Sequence, residues 1–258
     1  MTTALITAPG RSGRRAWMRS AAELLHEARA REHSGSIPEA VASYEGAIRA
    51  AERTGERAVL AEALRRLAVV QHRHNQSAEA RRLCHRSITV ARRAGNDLLA
   101  AEALNTLGGI DLETGPLAEA RRNFRRAVRL GGSSRELRAR VEQNLGILAS
   151  IQGDFGDALA CYARSLEAYA SCNDEHGCAI AYHNLGMVSA QQRLLDEADG
   201  YFTKSYEIAA RVGDTYLEGL CLLNHAEVYV ARERHEEARR NVESALALFD
   251  QIGGGVVK

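Results

Sequence analysis

Cys172, His176 and Cys178 are the residues whose types come closest to a metal site. Structural zinc sites use close pairs such as Cys-x-x-Cys, completed by a second pair elsewhere in the chain. This spacing has no such pair and no second half. His72 and His74 have no nearby cysteine and few acidic neighbours. We therefore expect no metal ion and no cofactor.

Catalytic patterns are also missing from the sequence. It contains no glycine-rich phosphate loop and no nucleophile beside a recognisable base. We therefore expect a protein that is not an enzyme.

A repeated pattern accounts for most of the chain. An acidic residue followed by alanine recurs at steps of 40, 40, 38, 40 and 40 residues, six times in all. Three further columns keep their character in each repeat. A small column lies twelve residues before the alanine: Ala28, Ala68, Gly108, Gly146, Gly186 and Ala226. A large column lies four residues after it: Tyr44, Cys84, Phe124, Tyr162, Phe202 and Val242. A second small column follows three residues later: Ala47, Ser87, Ala127, Ser165, Ser205 and Ala245.

The spacings of four and three residues place the alanine and the two columns that follow it on one helix face. Small residues let two helices approach closely, and a large residue fills the space between them. Because alanine, leucine, glutamate and arginine dominate and only three prolines occur, helix is favoured nearly throughout. The sequence predicts six helical hairpins, over about 15–55, 56–95, 96–132, 133–173, 174–213 and 214–251. Residues 1–14 are expected to be a disordered tail and 252–258 a C-terminal tail, with Trp17 near the start of the first helix.

Turn and end signals support these boundaries. Gly35, Asn75, Gly115 and Gly153 suit the turns inside the hairpins, whereas Arg193 and Glu233 depart from that trend. Stops between hairpins are predicted at Gly55, Gly95, Asn173, Gly213 and Gly253. The third hairpin is expected to end at Gly131-Gly132, after which Ser133 and Glu136 have the spacing of a capping box.

The columns resemble the tetratricopeptide repeat family, whose pattern combines Leu-Gly with Ala-x-x-x-aromatic. Leu145-Gly146 with Ala158 and Tyr162 matches that pattern well. The resemblance covers about 16–251, with a period near 40 instead of 34 and without the usual proline. It implies an all-α solenoid, a right-handed superhelix whose first helices line a concave groove that binds peptides. Longer repeats of this kind are similar to those of bacterial sensor domains and adaptor proteins.

The residue before each Leu-Gly position is then expected to point toward the groove. Asn144, Asn184 and Asn224 occupy it in three consecutive hairpins, and His183 adjoins the second. A carboxamide donates and accepts hydrogen bonds, so such a column suits a peptide backbone. The alternative is that asparagine satisfies carbonyl groups between adjacent hairpins.

Two arginine sets provide further candidate surfaces. Arg29, Arg65, Arg66 and Arg73, with His33 and His72, lie among Glu32 and Glu62 near the N-terminal end of the predicted groove. They suit an acidic or phosphorylated segment, or form a solvated charged face. Arg121, Arg122, Arg125, Arg126 and Arg129 form an outer stripe, with Arg81, Arg82 and Arg86 matching it one hairpin earlier. No aromatic residues interleave this stripe, so a nucleic-acid partner is disfavoured.

Charge is uneven along the chain. Before residue 140 there are 24 arginines and 15 acidic residues, and from there on 10 basic and 18 acidic ones, so the halves carry +9 and −8. Only two of the 34 basic residues are lysine. Such a bias makes any single arginine weak evidence for a binding site.

The location and the assembly are inferred from the ends and the cysteines. The N-terminus lacks the apolar run of a signal peptide, no segment is long and apolar enough to cross a membrane, and five cysteines form an unpatterned set. We expect a cytoplasmic protein without membrane contact. Leu246, Leu248 and Phe249 are expected to leave an apolar edge through which copies self-associate, or the natural chain continues beyond it.

The function predicted from the sequence is a binding scaffold or adaptor that captures a protein or peptide segment in the groove. The alternatives are a sensor that binds a small signalling peptide or ligand, and a regulator of a signalling enzyme or transcription factor.

Overall fold

Helices make up nearly all of the protein. The computed structural model describes residues 19–115 and 117–254, and within them twelve α-helices and no strand. The helices are α1 (Ala21–His33), α2 (Ile37–Thr54), α3 (Arg57–Arg73), α4 (Ser77–Arg93), α5 (Asp97–Thr114), α6 (Leu117–Gly131), α7 (Arg135–Ile151), α8 (Phe155–Ser171), α9 (Glu175–Gln191), α10 (Leu195–Val212), α11 (Thr215–Ala231) and α12 (His235–Gly254). The all-α hairpin architecture predicted from the sequence is therefore confirmed.

The helices pair in chain order, and the chain divides into two compact units at Thr106 and Leu107, inside α5. In the first unit α1 packs on α2 and α3 on α4. In the second unit α7 packs on α8, α9 on α10 and α11 on α12. The second helix of each of these pairs also packs on the first helix of the next pair within its unit. Within its unit, each of the helices α2, α3, α8, α9, α10 and α11 therefore packs against both its predecessor and its successor.

Contact between the small and large columns holds each hairpin together. A Cβ atom placed on Gly146 would lie 2.6 Å from Cε1 of Tyr162, and one on Gly108 would lie equally close to Phe124. Phe124 is fully buried. Glycine in the small column therefore lets an aromatic ring lie directly on the helix backbone.

Wherever the second small column holds serine, the serine hydroxyl donates a hydrogen bond to a backbone carbonyl of the other helix in the hairpin. Ser87 donates a hydrogen bond of 2.6 Å to the carbonyl of Ala61. Ser165 donates to Ala139 and Ser205 to Ala179, at 2.9 and 2.8 Å. All three serines are buried. The serine thus satisfies its own hydroxyl while staying small enough for the two helices to approach each other.

The predicted turns are largely confirmed. Gly35, Asn75 and Gly153 have positive φ, as do Gly55, Gly95, Asn173 and Gly213 at the ends of hairpins. Arg193 and Glu233, which depart from the turn trend in residue type, adopt the same left-handed conformation with φ of 63° and 59°. The backbone geometry therefore repeats even where the residue type does not.

Two predicted boundaries are wrong. The cap of α7 is Ser134, whose hydroxyl accepts from the backbone N–H of Leu137, and not Ser133. The expected stop at Gly253 does not occur, because α12 continues to Gly254 and so includes the first residues of the expected C-terminal tail. The expected tail at 1–14 and the assignment of Trp17 lie outside the described residues.

Candidate peptide-binding face of the first helices

The inner face of the second unit consists of the first helices of its hairpins, α7, α9 and α11. α9 contacts both α7 and α11 directly, whereas α8 and α10, which are fully described, do not contact each other. The first helices therefore lie side by side and the second helices spread apart. Asn144, Asn184 and Asn224 lie on α7, α9 and α11, each half-buried.

The asparagine column bridges adjacent hairpins at one point. Nδ2 of Asn224 lies 2.7 Å from Nε2 of His183 on the preceding first helix. In this geometry the amide donates to the neutral imidazole. The contact agrees with the alternative that asparagine links neighbouring hairpins, although its acceptor is a ring nitrogen instead of a carbonyl. The predicted role of Asn144, Asn184 and Asn224 in peptide binding remains a prediction.

His183 is held in its neutral form by its surroundings. Its ring is half-buried, with the ring centroid 5.9 Å from that of Phe202. Burial lowers the pKa of His183, and a hydrogen bond with Asn184 only partly opposes this effect. Since a protonated imidazole could not accept from Asn224, this lowered pKa preserves the bridge.

A second histidine cluster on α11 was missed by the sequence analysis. His225 pairs with Asp199 on α10 and stacks on Tyr229, at 4.9 Å between ring centroids. The guanidinium group of Arg234 lies over the Tyr229 ring, with its Cζ atom 4.7 Å from the ring centre. The four-residue spacing of His225 and Tyr229 is the only sequence signal that could have indicated this cluster.

The arginines of the N-terminal set have acidic partners within the first unit. These ion pairs join Arg29 to Glu62, Arg65 to Glu102, Arg66 to Glu62 and Arg73 to Glu32. Arg65 is the most buried of them, with its Nη2 3.0 Å from Glu102. Three carboxylates therefore offset much of the positive charge of this set. His33 and His72 hydrogen-bond to the Arg29 carbonyl and to Ser77.

The arginine stripe on α6 is more open to solvent. Arg121 bonds to Gln152 and Arg122 to Glu119. Arg125, Arg126 and Arg129 are exposed and make no ion pair with any described residue. The stripe thus has the properties of a solvated face, and no described contact assigns it a partner.

The apolar edge expected on the last hairpin is smaller than predicted. Phe249 packs against the backbone of Gly219, where a Cβ would lie 2.6 Å from its Cε1, and its ring is 5.8 Å from that of Tyr216. Of the three expected residues only Leu246 is mostly exposed, at 55%. Val230 and Val242 are also exposed. Self-association through this hairpin remains a prediction.

His176 and Cys84 have surroundings typical of structural residues. Nε2 of His176 lies 2.8 Å from Asp214, the residue that caps α11. Cys84 is fully buried, as expected for a residue of the large column. In residues 19–115 and 117–254, no three His, Cys, Asp or Glu side chains are arranged to hold a metal ion.

Comparison with known proteins identifies the repeat. The family model described as tetratricopeptide repeat matches residues 99–171 and 177–251. The chain belongs to the tetratricopeptide repeat family. Its first two hairpins, outside the match, repeat the same columns and helix pairing. No curated protein matches the sequence of this tetratricopeptide repeat chain. Within the part that the structure describes, no helix is long and apolar enough to span a membrane.

Solved structures share the fold at low sequence identity. BtubC (BKLC) from P. vanneervenii is 19% identical with a TM-score of 0.75, over 84% of this chain and 92% of that one. A STAND protein with a tetratricopeptide repeat sensor from Pyrococcus horikoshii is 15% identical with a TM-score of 0.73, over 91% and 36%. A Rap protein complexed with competence and sporulation factor is 12% identical with a TM-score of 0.68, over 91% and 76%. At these identities the similarity establishes the fold alone.

Proposed function

We propose that this tetratricopeptide repeat chain is a non-enzymatic scaffold that captures a protein or peptide segment on the inner face of its second unit. The observation that carries the proposal is the presence of Asn144, Asn184 and Asn224 at one helical position of three first helices, each half-buried. Half-buried carboxamides are exposed enough to reach a ligand and sheltered enough for their hydrogen bonds to be stronger than in bulk water.

The bond between Asn224 and His183 shapes how a segment would bind. Its 2.7 Å contact holds the amide in place before a ligand arrives, which reduces the ordering cost of binding. The amide oxygen of Asn224 still accepts a hydrogen bond while Nδ2 donates to His183. A backbone N–H of the bound segment is therefore the expected partner of Asn224.

A sensor that binds a signalling peptide is a second candidate. The Rap protein in the comparison is solved with competence and sporulation factor, and it aligns with 91% of this chain. That relationship supports a signalling factor as one class of ligand for this fold. A regulator of a signalling enzyme or transcription factor would use the same capture step with a larger partner.

An acidic segment is not favoured at the N-terminal set, because Glu32, Glu62 and Glu102 already pair with its arginines. A ligand with negative charge would have to displace these carboxylates. We therefore place capture on the inner face of the second unit, where the ligand makes neutral hydrogen bonds to the carboxamides.

The test compares partners captured from native lysate by the wild type and by a triple Asn144, Asn184, Asn224→Ala variant. A matched control replaces Arg125, Arg126 and Arg129 by alanine, because these residues are exposed and belong to α6 instead of the inner face. Circular dichroism verifies that each variant keeps its helix. We expect the asparagine variant to lose the partner and the arginine variant to keep it. Retention by the asparagine variant would refute the proposal.

A further inference from the structure

The second unit contains a cleft on its outer side, between the second helices α8 and α10. Its volume is about 820 Å³. α8 forms one wall, α10 forms the other, and α9 forms the floor. The cleft exists because α8 and α10 spread apart while α9 packs against both. It lies on different residues from the asparagine column and is separate from the function proposed above.

The α8 wall is apolar at positions where α6 and α12 carry charged residues. It consists of Leu159, Ala163, Leu166 and Ala170, which share one helix face at spacings of four, three and four residues. The corresponding residues of the third hairpin are Arg121, Arg125 and Val128 on α6 and Gly132 just after it, and those of α12 are Arg239, Glu243, Leu246 and Asp250. Packing of the repeat therefore does not require apolar residues at all four positions. On α8 they form an apolar surface that faces the cleft.

Aromatic rings line the rest of the cleft. Tyr182 on the floor stacks with Tyr201 of α10, at 6.3 Å between ring centroids. Nζ of Lys204 lies 5.4 Å from the centre of the Tyr182 ring. Both tyrosines are half-buried. The floor can thus pack against apolar side chains and, as Lys204 shows, hold a cation over an aromatic face.

The charge around the cleft is acidic. Arg211 is neutralised by Glu175, with two contacts of 3.2 Å. Glu167 on the α8 wall and Glu197 on the α10 wall are exposed and have no ion pair with any described residue. One carboxylate without an ion pair therefore lies on each wall, and Lys204 over the floor offsets only one of these two negative charges. A ligand that fits this arrangement has apolar residues in its centre and basic residues at its sides.

We propose that this outer cleft binds an amphipathic helix of a partner protein, with apolar side chains at i, i+4 and i+7 and lysine or arginine flanking them. Leu159 to Ala170 spans about 16 Å along α8 at about 1.5 Å per residue, which fits a helix of about eleven residues. The apolar ridge of that helix lies on Leu159, Leu166 and Tyr182. Its basic residues pair with Glu167 and Glu197.

The experiment selects peptides from a displayed library of 14-residue sequences against the full chain and measures the affinity of selected peptides by fluorescence anisotropy. The test variant is Leu159→Arg with Ala163→Arg, which gives α8 the arginines that α6 carries at the corresponding positions. The control is Thr203→Arg, at the position of α10 that corresponds to Ala163. Thr203 is exposed and does not line this cleft.

Peptides with the apolar and basic pattern should be enriched, and the test variant should weaken their binding by at least about tenfold, as expected for an apolar anchor. The control variant should bind within about twofold of the wild type. Glu167→Gln with Glu197→Gln should weaken binding and reduce its salt dependence. Bound peptide should also slow alkylation of Cys178 on the cleft floor, read by mass spectrometry.

Four outcomes would overturn the proposal. The selected peptides could lack basic residues, or bind the test variant as tightly as the wild type, which would place them elsewhere. Alternatively, sedimentation could show that the purified chain forms a dimer that the test variant dissociates, in which case the occupant is a second copy. Selection that enriches no sequence above background also counts against an amphipathic helix as the ligand.

Discussion

Gly186 and Phe202 are in direct contact because the glycine has no side chain. A Cβ on Gly186 would lie 2.6 Å from Cε1 and 2.7 Å from Cδ1 of Phe202. Phe202 is fully buried, so its ring has no free space into which it could move. In two hairpins where the small column holds alanine, the large column holds only Cys84 or Val242. Glycine is thus paired with an aromatic ring in the third, fourth and fifth hairpins, whereas the first hairpin pairs Ala28 with Tyr44.

Gly186→Ala should destabilise the protein. Overpacking costs about 1–3 kcal/mol, and the higher helix propensity of alanine offsets about 1 kcal/mol of it. Adding Phe202→Val should relieve the clash and produce a strongly non-additive double-mutant cycle. Urea unfolding followed by circular dichroism measures these differences. Gly200→Ala is the control, since nothing lies within 4 Å of its Cβ position, and it should be neutral or stabilising.

The hairpins could be predicted from the sequence because their packing repeats. Six copies of the same columns determine helix pairing even when one copy, such as Cys84, departs from the aromatic type. Ser133 and Ser134 show the limit of this approach, since two adjacent serines satisfy the same cap pattern and only the backbone geometry distinguishes them. Element ends are therefore less certain than element identity.

The contacts of the candidate site could not be predicted in the same way. A column shows which residues share a face, but a side chain such as Asn224 also reaches an adjacent hairpin, where the neighbour differs in each repeat. Its bond to His183 has no equivalent that the sequence repeats. The packing of Phe249 on Gly219 was missed for a similar reason, because neither residue belongs to the repeated columns.

Glu142 and Arg164 form an ion pair that breaks the repeat. The residues that correspond to Glu142 in the other hairpins are Leu24, Leu64, Leu104, Tyr182 and Leu222. Only 8% of the Glu142 side chain is exposed, and Nη2 of Arg164 lies 2.9 Å from its Oε2. Arg164→Ala should cost about 2 kcal/mol, below the usual penalty for a buried pair because the Arg164 side chain is itself 44% exposed.

Glu142→Leu should be neutral or stabilising, alone or together with Arg164→Ala, since an apolar residue removes the buried charge. Thermal unfolding of the single and double variants separates the two effects. If Glu142→Leu proves as damaging as Arg164→Ala, the pair contributes net stability and this argument fails.

His183 should make stability depend on pH. Burial holds the folded pKa of His183 below the ordinary histidine value of 6.5, so the unfolded state binds a proton first as the pH falls. Stability is then fully present above about pH 6.5 and decreases below it, until the pH passes the lowered folded pKa. His183→Gln retains an acceptor for Asn224 but does not titrate, and should flatten this part of the stability profile.

The measurement for His183 is the free energy of unfolding in urea at several pH values between neutral and mildly acidic. His235→Gln is the matched control, because His235 is an exposed histidine of the same unit and takes no part in the bridge to Asn224. The control should leave the acid slope unchanged. An equal flattening by both variants would mean that general histidine charge, and not the bridge to Asn224, causes the slope.

Arg193 lies in a backbone conformation that suits glycine. Its φ is 63°, and the corresponding turn residues Gly35 and Gly153 both have φ of 75°. A left-handed conformation is costly for residues with a Cβ, but glycine loses more chain entropy on folding. The net result is that Arg193→Gly should stabilise the protein by about 0.5–1 kcal/mol. The Arg193 side chain is exposed and has no hydrogen bond or ion pair with any residue that the structure describes.

The reverse substitution tests the same physical cause. Gly153→Arg should destabilise by a similar amount, since its turn has the same geometry and nothing lies within 4 Å of its Cβ position. Chemical unfolding of both variants measures the two changes under one set of conditions. Changes in the free energy of unfolding that are opposite in sign and similar in size would show that backbone strain alone distinguishes these turns. If Arg193→Gly destabilises the protein, the arginine side chain makes packing or capping contacts whose contribution exceeds the cost of its left-handed backbone conformation. The turn is then maintained by contacts instead of by backbone preference.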